Sequence, residues 1–122
     1  MKSAVHLNAS TVNDIEFQPA SLDIWDSKYR LSSKDGEQID QTIDDTYRRV
    51  AEALSKVEAD SKQQYFYEEF LWALRSGAIP AGRIMSNAGA REHKPATSTI
   101  NCTVSGTVGD SMDNILNKVH EA

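Results

Sequence analysis

The clearest periodicity in the chain lies in DQTIDDTYRRVAEALSKVE, residues 40–58. Ile43, Tyr47, Val50, Ala51, Leu54 and Val57 recur there at three- and four-residue spacing, which predicts one apolar helical face. Asp40 or Thr42 can cap this helix, and Asp44 and Asp45 fall in its first turn, where the helix dipole favours anions. DSKQQYFYEEFLWALRSG, residues 60–77, predicts a second helix with Phe66, Phe70, Leu71 and Leu74 on one side. Gly77 supplies its C-terminal cap and Pro80 blocks continuation. The short link between the two predicts an antiparallel pair, aromatic side chains packed on aliphatic ones.

The flanks carry weaker patterns. Residues 1–20 show no periodicity and read as a flexible or extended lead-in. SLDIWDSKYRL, residues 21–31, reads as a short irregular or strand-like piece, and SSKDGEQ as a turn cornered at Asp35-Gly36, able at most to close a weak hairpin. After Pro80 the chain turns rich in Gly, Ala, Ser, Asn and Thr, through AGRIMSNAGAREHKPATST, a stretch too long for a simple connector and so a functional candidate. TINCTVSG is β-like, with Ile100, Cys102 and Val104 on one face. GDSMDNILNKVHEA then places Met112, Ile115, Leu116 and Val119 on a helical stripe that reaches the chain end with no stop signal. Met85 and Met112 read as core residues. The organisation expected is a lead-in (1–20), a helical region (21–80) and the incomplete start of a further domain (81–122).

Composition narrows the class. At 122 residues the chain suits one small domain, and 39% apolar with 25% charged residues fits a soluble globular segment. No apolar run approaches the roughly 20 residues of a spanning helix, so no membrane partner is expected. The N-terminus lacks the apolar core of a secretory signal, which makes a cytoplasmic setting the default. A single cysteine excludes an internal disulfide framework and any CxxC metal site. A net charge of −5 argues against a nucleic-acid polymer as partner. The charge is uneven, however: RSGAIPAGRIMSNAGAREHK holds Arg75, Arg83, Arg91 and Lys94 against one Glu, a local basic loop suited to a small anionic ligand.

Three features carry candidate chemistry. Cys102, alternating with Ile100 and Val104, reads either as a small buried apolar residue or as a redox thiol whose partner comes from outside the segment. His93 and His120 form no local Cys-His pattern with it. Asp110 and Ser111 open a helix, either as a simple cap or as a nucleotide site. A carboxylate there repels phosphate but accepts hydrogen bonds from a sugar hydroxyl, so in a nucleotide site Asp110 would hold the ribose. RIMSNAG offers hydroxyl, amide and backbone donors beside two glycines, either a turn or an anion cradle, and matches neither a P-loop nor a GxGxxG fingerprint. Asp23/Asp26 and Asp44/Asp45 read as solvated faces and caps, with no metal site.

Taken together, PAGRIMSNAG, STINCTVSG and GDSMDNILNKVHEA resemble the start of the catalytic chain of ribonucleotide reductases, and most resemble the adenosylcobalamin-dependent class II group. The upstream SLDIWDSKYRL and DQTIDDTYRRVAEALSKVE are similar to that family's helical N-terminal region, so the resemblance runs from Pro19 to Ala122. It implies a mainly α N-terminal region leading into the first strand and helix of a ten-stranded α/β barrel. It implies radical reduction of ribonucleotides to 2′-deoxyribonucleotides, with Cys102 as one of two reducing thiols and an external dithiol restoring them. The second thiol is expected in sequence beyond Ala122.

Other roles implied by the resemblance fall on named positions. Ser86 and Asn87 match the loop that approaches the substrate phosphates, and Asn101 lies beside the substrate. Asp110, Ser111 and Met112 match the opening of the helix that holds a deoxynucleotide or ATP effector. That helix, 110–122, belongs to the family's homodimer interface. Adenosylcobalamin is expected outside this segment, as is the remainder of the reductase chain or a complementary split subunit, and the isolated chain is expected to be inactive. Two rival readings stay open: a helical protein-interaction module and a free-standing nucleotide-binding module, both without catalysis.

Overall fold

The computed structural model describes residues 15–100 and 102–121, and among these it contains helices α1 (Pro19–Ile24), α2 (Ile43–Ser55), α3 (Asp60–Arg75), α4 (Gly82–Asn87) and α5 (Met112–Glu121). The two periodic stretches form α2 and α3, within the limits that their end signals set. Thr42 caps α2: its hydroxyl accepts from the Asp45 N–H at 3.3 Å while the Asp45 carboxylate accepts from the Thr42 N–H at 3.0 Å, a reciprocal capping box. At the end of α3, Gly77 takes φ +101°, its N–H bonds to the Leu74 carbonyl, and the Ala78 N–H bonds to the Ala73 carbonyl. That pair of bonds is a Schellman motif, which needs a left-handed residue in the glycine's place.

Arg75, in the last turn of α3, makes a bidentate pair with Asp44 in the first turn of α2 at 2.7 and 2.8 Å, so the two helices run antiparallel as expected. Between them Val50, Ala51, Leu71 and Leu74 are buried, flanked by Tyr47, Leu54 and Phe70. Val57, expected on the same face, lies past the end of α2 and is 85% exposed. The core is completed from α4: Ile84 and Met85 pack against it, and Ala88 is buried. RIMSNAG is therefore neither a free loop nor a simple turn, but a short helix that lays its apolar residues on the helical pair.

Of residues 21–31, the first nine are helical rather than irregular or strand-like, and Arg30 is extended. Pro19 sits at the start of α1, where its missing N–H has no intrahelical partner to lose. The helix then widens into a π turn, Trp25–Tyr29, closed by the Arg30 N–H on the Trp25 carbonyl at 2.8 Å. The Ser27 hydroxyl donates back to the Asp23 carbonyl at 2.8 Å, and the Arg30 guanidinium lies 5.1 Å from the Trp25 ring centre. The Asp35-Gly36 corner is present, with Gly36 at φ +88°, but the hairpin reduces to one antiparallel bridge between Ser32 and Gln38.

The C-terminal part departs furthest from expectation. Residues 102–109 form no regular secondary structure, and among the described residues no strand pairs with them, so the β-like alternation forms no ladder. Cys102, Ile100 and Val104 are all exposed, which corrects the reading of Cys102 as a buried apolar residue. A strand buries an alternating face only when a sheet supplies the opposite layer. Helix α5 forms where its stripe predicts it but carries no buried residue, and Met112, read as core, is 68% exposed.

Candidate functional site

A charged pair lies inside the described part of the molecule. Asp40, an alternative cap by sequence, is not a cap: it is buried beside Arg49, whose Nη2 donates to its Oδ2 at 2.8 Å. The same carboxylate accepts from the Thr46 hydroxyl at 2.7 Å and from the Leu31 N–H at 3.1 Å. Burial pushes the Asp40 carboxyl up, but the bonds from Arg49, Thr46 and Leu31 outweigh it and hold it below the ordinary carboxylate range. Thr46 also accepts the Trp25 indole N–H at 2.9 Å, which ties the π turn to α2. A buried ion pair is tolerable only when its remaining donors and acceptors are satisfied, and here they are.

Arg49 uses its other donors on the main chain of the following segment. Nη2 donates to the Met85 carbonyl at 2.9 Å and Nη1 to the Ala88 carbonyl at 2.7 Å. Gly89, at φ +73°, brings the backbone directly onto α2: a Cβ there would stand 3.0 Å from Cγ of Arg49 and 3.2 Å from its carbonyl oxygen. Ser86 and Asn87 lie between the two clamped carbonyls.

Helix α4 in turn grips the segment that leads to the cysteine. The Asn87 amide donates to the Ser98 carbonyl at 2.8 Å, and Arg83 Nη1 donates to the Ile100 carbonyl at 2.9 Å. These side-chain donors occupy carbonyls that a neighbouring strand would otherwise bond. Between α2 and residues 87–100 lies an open cleft of about 1230 Å³, with Arg48, Arg91, His93, Asn87 and Ser98 on its walls. Asp45 and Glu52 line it as well, so its charge is mixed rather than uniformly cationic.

The structure thus joins Asn87 to the backbone at Ser98, ahead of the exposed Cys102, while Ser86, beside Asn87 in α4, makes no hydrogen bond to that segment among the described residues. Asn101 lies outside the described residues. Asp110, Ser111 and Met112 are exposed, and no hydrogen bond among the described residues links them to Ser86, Asn87 or Cys102. Ser111, not Asp110, caps α5: its hydroxyl accepts from the Asn114 N–H at 3.2 Å and from the Asn114 amide at 2.8 Å. The Asp110 carboxylate is left to solvent. No cluster of three or more His, Cys, Asp or Glu side chains fit for a metal ion occurs among the described residues.

Sequence reasoning missed the roles of Arg49, Asp40 and Arg83. A signal for the first was present: Thr46, Arg49 and Ala53 share the side of α2 that carries Val50, and a cation on an apolar face implies a buried partner. Residues 15–93 match the family model for the ribonucleotide reductase all-alpha domain. That match covers α1 to α4 with the Asp40–Arg49 pair, and it stops before Cys102. No curated protein and no solved structure matches the chain.

Proposed function

The chain belongs to the ribonucleotide reductase family through its all-alpha domain, and from that premise we propose that it is the platform that presents one reducing thiol, Cys102, to the ribonucleotide. The observation that carries this reading is the grip of Asn87 and Arg83 on the carbonyls of Ser98 and Ile100, which holds the backbone two residues before an exposed cysteine. Cys102 and a second thiol from outside the segment each give one electron and one proton. The substrate's 2′-hydroxyl leaves as water, a hydrogen takes its place, and an S–S bond forms that an external dithiol reduces. Ser86 and Asn87 approach the substrate phosphates, and Asn101 stands beside the substrate.

The same reading gives Asp110, Ser111 and Met112 to an allosteric deoxynucleotide or ATP. The uncapped Asp110 carboxylate supports a ribose contact, because it has no competing bond to the start of α5. The exposed stripe of Met112, Ile115, Leu116 and Val119 supports a homodimer interface through α5. The adenosylcobalamin that the class II resemblance implies is proposed to bind outside this segment, where it would supply the radical. In the complete reductase, Cys102→Ser should reduce multiple turnover with a dithiol reductant to background while substrate still binds. Undiminished turnover would remove the redox role. Asp110→Ala should abolish the response to deoxynucleotide effectors and leave basal turnover intact.

A further inference from the structure

We propose that Arg49, a residue of the helical domain remote in sequence from the thiol, is the positioning residue for the substrate loop, here the end of α4 and the turn after it, residues 85–89. The inference rests on the assignment of Ser86 and Asn87 to the substrate, and adds what holds them in place. A guanidinium presents its donors in a fixed fork, and here all three of its nitrogens are engaged. One edge faces Asp40, Nη2 also reaches the Tyr29 carbonyl at 3.4 Å, and Nη2 and Nη1 clamp the carbonyls of Met85 and Ala88, on either side of Ser86 and Asn87. Asp40 is fixed in its turn by Thr46 and the Leu31 N–H, so the clamp is anchored to α2 and to the strand-like turn before it. A second, independent feature acts at the same point: Gly89 has no side chain where Arg49 passes, and its positive φ turns the loop onto the helix.

Without the clamp the loop would spend only part of its time in the binding-competent arrangement, and apparent affinity falls by that fraction. A lysine at this position cannot reach both carbonyls and the Asp40 carboxylate together.

The test is the steady-state kinetics of the complete reductase with saturating dithiol. Arg49→Lys should raise KM for the ribonucleotide about tenfold and leave kcat within about twofold, as expected for a loop seated roughly a tenth of the time. Asp40→Asn keeps the shape of the partner while removing its charge, is the second variant of the clamp, and should raise KM in the same direction. Arg75→Ala breaks the Asp44 pair on the far side of α2 and should lower thermal stability without moving KM. A KM raised equally by Arg75→Ala would mean that Arg49 acts only through general stability, and would overturn the inference. So would an unchanged KM in both Arg49→Lys and Asp40→Asn while Ser86→Ala or Asn87→Ala raises it. If neither Ser86→Ala nor Asn87→Ala moves KM, the assignment of the loop to the substrate fails instead.

Discussion

Replacing Thr46 by valine is the sharpest probe of the buried network, because it removes one oxygen and keeps the side chain's shape. Thr46 is fully buried, and its hydroxyl donates to the Asp40 carboxylate at 2.7 Å while accepting the Trp25 N–H at 2.9 Å. Loss of a bond to a charged acceptor costs about 1.5–3 kcal/mol. The Trp25 N–H loses its acceptor too, but the indole is only half-buried and water can replace part of that bond, which adds about 1 kcal/mol at most. The sum is about 3 kcal/mol. With a urea slope of about 2 kcal/mol per M, the unfolding midpoint should fall by about 1.5 M with the slope unchanged. Urea titration followed by far-ultraviolet circular dichroism reads this directly. Thr46→Ser keeps the hydroxyl and loses only a buried methyl, about 1 kcal/mol. If valine costs less than about 0.5 kcal/mol, or serine costs as much as valine, the hydroxyl is not what joins the π turn to α2.

Two further outcomes follow from charge and backbone geometry. Asp40 is held low by Arg49, Thr46 and Leu31 against the upward push of burial, and Asp44 is held low by Arg75 against a smaller one. Because both folded values lie below the unfolded one, near 3.9, their stabilisation is present above that value and lost as pH falls through the folded values. The acid limb of the stability curve should therefore drop progressively from about pH 5 downward, and Asp44→Asn should flatten it; an unchanged limb would contradict the pairing with Arg75. Gly77→Ala forces a side chain into φ +101°, and its Cβ would stand 3.3 Å from Cδ1 of Ile15, so thermal unfolding should show a loss of about 1–2 kcal/mol. No loss there would mean that α3 does not end in the Schellman geometry.

The helical pair was legible because α2 and α3 bury one face each, and burial of a single face imposes the 3.6-residue period on the sequence. Gly77 and Thr42 were legible for a related reason, since each end needs a particular residue type. The Trp25–Tyr29 turn was not, because an i→i+5 bond has no periodic signature of its own and the segment is too short to show one. TINCTVSG shows the limit of alternation as a signal. Its period of two is intrinsic to the sequence, but strand pairing is a property of two segments, and among the described residues the second is absent. Arg49 escaped for the opposite reason. Its partners lie at positions 40, 85 and 88, and nothing in a linear reading connects them.

The side-chain contacts that hold residues 85–100 share one property: they end on main-chain oxygens. Arg49 holds the carbonyls of Met85 and Ala88, Asn87 that of Ser98, and Arg83 that of Ile100. A carbonyl is the same whatever side chain its residue bears. The frame is therefore indifferent to the identity of much of what it frames, and substitutions can accumulate along the held segments without loosening the hold. Variation should concentrate at held positions such as 100, while 49, 83 and 87 resist it. Preference among ligands could then drift over generations on a scaffold whose geometry stays put.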